Sequence, residues 1–574
     1  MIMTLQDERT GQGLRAPEEV LSSADMNGAW ATRHSFARTM LRRAAARKWT
    51  VTRARLDLDA DARGTAVYTV NAEGRQLSFI AFCRILEESE RTDRVIADGW
   101  DVTAALIEGH LTTEREAELR RNVPIQERGR VDPDTIILTR ANRSARFFDY
   151  VSDCLAAGSQ PDVDIIGPSP YLIRSTAFYG NGKFGLKEFT GIPADHPLAV
   201  PYRSQMLAAW LLRELSMDMV EHVAAAKAAA AGTTAVHLDT AWSRYLGLGN
   251  ATGLGMVPFV INHPDYLDAW CKLREIPLAT GLGRDYTPDH PDLARVAGLL
   301  TRADRHLAEK HTLTTAPFLP AGAIRPQLQQ LLEELQSHMD TATEPAPILA
   351  RLHETATRMS TEARGIFASI VIELRSDFDE NAEALLRTDR PHPFDAAMRC
   401  WELKQLLDNN YAWARNYNFS EPERTQYYWF SSAANEEPRR ALRITKPAGT
   451  AEHCTDIARR VNALATDLER FPASHSLAEF LLAHPGHRFA AARVQQTRRY
   501  HYGELHDNLI DGEFLPLSTQ RFQLATYGMN NFSPQSTDWL RVTLFSGAPR
   551  AIDINAGTDE DDWLFPTAPK EQGQ

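Results

Sequence analysis

The chain has 574 residues, 43% apolar and 24% charged, with 63 basic against 75 acidic side chains and a formal charge of −12. That balance excludes a disordered chain or a disulfide-framework scaffold and gives no global attraction to a phosphate backbone, so neither nucleic acid nor a membrane is an expected partner. At roughly 100–200 residues per domain, the length allows two to four structural units.

Five cysteines (Cys83, Cys154, Cys271, Cys400 and Cys454) lie at least 54 residues apart, without the spacing of a zinc or iron–sulfur site, and read as reduced thiols. No apolar run is long enough to span a bilayer, and the N-terminus lacks the order of a signal peptide, so a cytoplasmic location is expected. Nine lysines stand against 54 arginines. Each lysine is therefore of interest, because arginine does not serve as a neutral amine.

In chain order, residues 1–25 read as a flexible leader. Arg33 to Trp49 reads as a basic amphipathic helix with Phe36, Met40, Leu41 and Ala44 on one face. Its Arg42, Arg43, Arg47 and Lys48 suit a solvated face or contact with an acidic partner. Three alternating runs, Ala54-Leu56-Leu58, Ala66-Tyr68-Val70 and Leu77-Phe79-Ala81-Cys83, are separated by turn-rich gaps and predict an antiparallel meander with one buried face. Ile136 to Leu138 leads into a helix expected over about 141–157. These segments form an α+β unit over 26–165.

A β-hairpin and glycine loop are expected over 166–198, with Leu172–Phe178 against Phe184–Phe189. From 199 to 416 the helical period dominates. Leu207, Leu211, Leu215, Met219 and Val223 form one row, and Leu349, Leu352, Ala356, Met359, Ala363, Phe367, Ile370 and Leu374 form the stripe of a second long helix. Helices of this kind need each other's apolar faces, which predicts a bundle. A mixed α/β region follows over 417–557, with strands near Tyr427–Phe430, Ala441–Thr445, Arg521–Tyr527 and Arg541–Phe545 and a helix through Cys454, Ile457, Val461, Leu464 and Leu468. The stretch 558–574 reads as an acidic, frayed tail. The fold expected is α+β and mainly α-helical: a central helical bundle flanked by the N-terminal antiparallel β-meander unit and the mixed α/β C-terminal region.

Three segments carry chemistry. In 171–189, Gly180, Gly182 and Gly185 spell GxGxxG, but no helix opens after Gly185 to present its amides to a pyrophosphate, so dinucleotide binding is not expected. The same loop holds Arg174, Tyr179, Asn181, Lys183 and Lys187, a planar fork, mobile ammonium groups and neutral donors that suit a carboxylate or phosphate. In 244–264, Gly247, Gly249, Gly253 and Gly255 describe backbone pressed against a helix, a ligand or a cofactor plane, with Asn250 and His263 available to orient a ligand. Near the C-terminus, His501, Glu504 and His506 suit acid–base exchange, and these groups or the pair His484 and His487 have metal-ligand chemistry without a metal-motif spacing. No metal is assigned. Arg439 belongs to a further aromatic- and amide-rich stretch, and Tyr527 to Pro534 is another.

The expectation is a soluble enzyme acting on a small anionic metabolite. Lys183, Tyr179, His501 and Glu504 would be catalytic; Arg174, Asn181, Lys187, Asn250, His263 and Arg439 would bind substrate. A lyase, isomerase or oxidoreductase fits at least as well as a hydrolase. The cofactor is unknown, although a flat one such as flavin or haem would suit the glycine and aromatic segments, with His263 as an axial ligand. Homo-oligomerisation is left open. The alternative is a non-catalytic binding or assembly protein using its long helices and the Arg-rich helix 33–48.

Overall fold

The computed structural model describes residues 13–84, 101–124, 134–167, 170–180, 192–193, 195–253, 264–309, 319–386, 394–420, 427–431, 438–442, 454–503, 516–534, 539–557 and 563–569. Period-2 alternation becomes β1 (Thr50–Leu58), β2 (Gly64–Ala72) and β3 (Arg75–Cys83), the expected meander. The sheet continues through β4 (Val102–Glu108), β5 (Thr135–Arg143), β6 (Tyr171–Gly180) and β7 (Gly247–Gly253). A small separate sheet pairs β8 (Tyr427–Ser431) with β9 (Pro438–Leu442). The main sheet closes with β10 (Asn531–Pro534) and β11 (Trp539–Leu544), giving nine strands in the order β1-β2-β3-β4-β5-β6-β7-β11-β10. All neighbours are antiparallel except β6 and β7. The sheet thus draws on segments that patterning alone assigns to several units.

The helices used below are α1 (Ser23–Asn27), α2 (Phe36–Ala46), α3 (Thr113–Asn122), α4 (Phe148–Ala156), α5 (Arg203–Ala230), α6 (Pro264–Leu282), α7 (Pro291–Ala308), α8 (Ala321–Thr341), α9 (Ile348–Thr357), α10 (Thr361–Glu373), α11 (Asp379–Leu386), α12 (Cys400–Asn410), α13 (Cys454–Glu469), α14 (Leu477–Ala483), α15 (Arg488–Gln496), α16 (Pro516–Tyr527) and α17 (Ala551–Asn555). The chain is α+β and mainly helical, as the patterning implies.

Three apolar clusters are buried among the described residues. In the largest, Tyr68, Val70, Phe79, Ala81 and Leu106 on one sheet face join the buried side of α5. The second fills the bundle of α7 to α10. The meander has more than one buried face: Val67, Ile80, Phe82, Ala105, Ile107 and Leu138 on its reverse side are closed by Leu119 of α3. The long stripe over 349–374 is two helices, because Ser360 leaves the helical conformation and its hydroxyl accepts from the Ala363 amide at 3.3 Å. The helix expected from 141 begins at Phe148, because β5 runs on to Arg143. Arg521–Tyr527 is helical as part of α16, and residues 518–527 are all buried.

The Arg-rich helix is internal over most of its length. Arg33 grips Asp379 with two bonds of 2.9 and 2.8 Å, and Arg38 pairs with Glu373, whose side chain is fully buried. Arg42 donates to Asp379 at 3.1 Å, and Arg43 holds Glu73 and Glu383. These charge-assisted bonds tie α2 to α10 and α11. Arg47 and Lys48 remain exposed.

Both ends of the chain are packed where they are described. Residues 13–25 carry buried Val20 and Leu21, and Arg15 reaches Glu275 at 2.6 Å. The segment 563–569 lies against the bundle: Trp563, Leu564 and Phe565 are buried, and Asn530 donates to the Trp563 and Leu564 carbonyls at 2.6 and 2.8 Å. The Pro566 carbonyl meets the His306 ring at 2.5 Å.

Candidate functional site

The glycine segment is a strand, and what it is pressed against is its own sheet. A Cβ on Gly249 would lie 2.5 Å from the Tyr171 ring, and one on Gly247 would lie 2.5 Å from the Leu544 carbonyl oxygen. Glycine, asparagine and alanine are poor strand formers, so pairing on both edges holds β7 extended. Arg213 of α5 fixes the ends of that pairing. Its fully buried guanidinium donates to the carbonyls of Leu246 (2.8 Å), Ser243 (3.0 Å), Arg244 (3.1 Å), Ala548 (3.0 Å) and Pro549 (3.1 Å), joining the entry to β7 with the exit from β11.

Across the parallel pair, Arg174 stands opposite Gly249 and Ser175 opposite Asn250. Arg174 and Asn250 are half-buried, and among the described residues neither makes a side-chain hydrogen bond or ion pair. The Ser175 hydroxyl is buried without a hydrogen-bond partner. Two expected binding residues therefore sit on adjoining strands. Those strands run the same way, so their last residues, Gly180 and Gly253, lie toward the same end of the pair.

Tyr179 lies on β6 opposite Leu138. Asn181, Lys183, Lys187 and His263 lie outside the described residues. Over Tyr171–Ser175, β6 is paired on both edges, by β5 and β7, which displaces the expected hairpin from that half of the strand; residues 184–189 lie outside the described residues.

A second cluster forms at the head of α6. Asp268 and Lys272 are buried and paired at 2.5 Å, and Asp268 also accepts from the Tyr502 amide at 3.0 Å. Burial pushes the Asp268 carboxyl above its ordinary range, opposed by Lys272, the Tyr502 amide and the nearby charge of His501. His501 is exposed beside this pair, and Gly503 packs against Pro264, the residue after His263. Glu504 and His506 lie outside the described residues. Lys272 belongs to the scarce lysines, and its carboxylate partner lies one helical turn before it, but the burial of the pair depends on the fold. Next to Pro264, a groove of about 220 Å³ is floored by Ile457, Val461, Phe489 and Ala490 and edged by Arg460 and Arg493.

Arg439 lies on β9 opposite Phe430, in the two-stranded sheet rather than beside β6 and β7. His484 and His487 converge with Asp467. Sequence reading also missed the buried polar side of α16, where the Arg521 guanidinium lies 5.3 Å from the Trp30 ring and 5.2 Å from Phe532. The density of amides after Tyr527 was the signal available there, and Asn530 uses its amide to hold the C-terminal segment. Comparison with protein-family models, with curated proteins and with solved structures gives no match for this chain.

Proposed function

We propose that the protein is an enzyme that binds a small carboxylate- or phosphate-bearing metabolite against the parallel strand pair β6–β7. One observation carries this reading: the half-buried Arg174 guanidinium, on the parallel strand pair opposite Gly249, has no side-chain partner among the described residues. Arginine at such a depth is normally paired, and its planar fork suits an anionic oxygen pair. Lys183 and Lys187 follow β6 in the chain, and His263 follows β7. His501 and the Asp268–Lys272 pair are groups able to exchange protons with a bound substrate.

Several further features are compatible with a cytoplasmic enzyme. Cys83, Cys154, Cys271 and Cys400 are free thiols, and among the described residues no helix is long and apolar enough to cross a membrane. The assembly alternative has weaker support, because Arg33, Arg38, Arg42 and Arg43 of the basic segment are engaged by carboxylates of the same chain.

Thermal unfolding of the full chain in a panel of phosphates and short carboxylates tests the proposal. One anion class should raise the midpoint of the wild type in a saturable way, and Arg174→Gln should abolish that rise while leaving the ligand-free midpoint within a few degrees. A midpoint that responds equally in both proteins, or in neither, removes Arg174 from any anion site.

A further inference from the structure

We propose that Asp467, His484 and His487 form a three-ligand site for a divalent transition-metal ion of the zinc class. The two histidines flank the dipeptide Pro485-Gly486. His484 ends α14 in a non-helical conformation, the chain makes one 3-10 turn over Pro485–His487, and α15 begins at Arg488. This turn sets the two imidazoles side by side, with ring centroids 6.1 Å apart. Asp467, in the last turn of α13, completes the group from a separate helix.

The Asp467 Oδ2 atom lies 2.7 Å from His487 Nε2 and 3.7 Å from His484 Nδ1, and one donor atom from each residue falls within 4.8 Å of the others. Zinc bonds to imidazole and carboxylate are about 2.0–2.2 Å, so ligand atoms of a tetrahedral site are separated by roughly 3.3 Å. Side-chain adjustments of about an ångström therefore convert the observed spacing to the bound one.

The His487–Asp467 contact alone would be an ordinary ion pair, but it does not explain His484. The Nδ1 of that ring faces the same carboxylate oxygen beyond hydrogen-bond reach, and among the described residues neither of its nitrogens makes a hydrogen bond.

The rings are also held in place. Phe480 stacks on His484 at 4.9 Å and on His487 at 5.7 Å, and Phe471 meets His484 edge-on at 6.0 Å. Such packing limits the rotamer freedom that metal binding would otherwise have to remove. Arg470 is the opposing feature, since its cation weakens the field felt by an incoming ion. Side-chain exposures of 33%, 36% and 15% for Asp467, His484 and His487 leave the site open to solvent, so water can take the remaining coordination position. Two imidazoles and one carboxylate are ligands for Zn²⁺, Co²⁺ or Ni²⁺ rather than for Ca²⁺ or Mg²⁺.

The test uses untagged, chelator-stripped full-length protein titrated with Co²⁺, followed by its visible d–d absorption, and then with Zn²⁺ as competitor. The wild type should bind one Co²⁺ per chain with a tetrahedral-type spectrum that Zn²⁺ bleaches. His484→Ala/His487→Ala should lose that spectrum and one equivalent of metal, and Asp467→Asn should weaken binding about tenfold or more. A wild type without the spectrum, or a double variant that retains it and the same stoichiometry, overturns the proposal. If the double variant does not fold, Asp467→Asn decides the matter, and an unchanged Co²⁺ affinity in that variant overturns the proposal.

Discussion

Replacing Arg213 by lysine keeps the charge but reduces the donors, and so isolates what the guanidinium does for the sheet. Arginine here reaches five backbone carbonyls, at 243, 244, 246, 548 and 549, from a fully buried position. An ammonium has three donors, so at least two of those carbonyls lose their partner. At about 1.5–3 kcal/mol for each bond to a charged group, the loss is about 3–6 kcal/mol. Urea unfolding of Arg213→Lys, followed by tryptophan fluorescence and by far-ultraviolet circular dichroism, should show stability falling by that amount, as a lower midpoint at an unchanged slope. Because the bonds join the entry to β7 with the exit from β11, any anion stabilisation that depends on Arg174 should fall as well. A change below about 1 kcal/mol would refute the reasoning and show that water or a shifted backbone serves those carbonyls equally well.

Two further perturbations follow from the same geometry. Gly249→Ala places a methyl group 2.5 Å from the Tyr171 ring and should destabilise by about 1–3 kcal/mol, with Tyr171→Ala relieving part of that cost in the double variant; additive losses in a urea-based double-mutant cycle would contradict the contact. Burial, together with the charges of Arg15 and Arg364, lowers the pKa of His353 from 6.5 to about 4 against a weaker opposing effect of Asp25, so the folded protein keeps this ring neutral while the unfolded chain protonates it. Its contribution is present above about pH 6.5 and is lost as the pH falls toward 4. The urea midpoint should decline across that window, and His353→Gln should flatten the decline; an equal pH dependence in the variant would exclude this residue.

The parts of the fold legible in the sequence are those whose burial is one-sided or whose turns are local. The meander could be read because polar turn residues separate alternating runs, and Asn71 to Gly74 closes its second turn with Glu73 and Gly74 at positive φ. The α5 and α13 rows could be read from their period. The helix α16 could not, because residues 518–527 are buried all round, polar and apolar alike, and no stripe remains to mark a period. The strand state of β7 was hidden for a different reason: Gly247 to Gly253 is held extended by β6, β11 and Arg213, all remote in sequence. The site inherits this division. Arg174 and Asn250 could be named from residue type, but their placement on adjoining strands depends on the β6–β7 pairing, and the burial of the Asp268–Lys272 pair is recognisable only in the fold.

The strand order also bears on synthesis at the ribosome. Translation reaches the end of β7 at Gly253, but its outer neighbour β11 starts only at Trp539, and β1 is further bound to the far end of the chain, where the Asn555 side chain exchanges bonds of 2.7 and 2.9 Å with the Val51 backbone. At about 5–20 residues per second, the glycine-rich edge of a nascent chain waits roughly 15–60 s for its partner. During that interval it offers an unpaired row of amides and carbonyls to other chains. Products ending before β11 should therefore be the aggregation-prone species in expression, and slowing translation between β7 and β11 should increase dependence on chaperones.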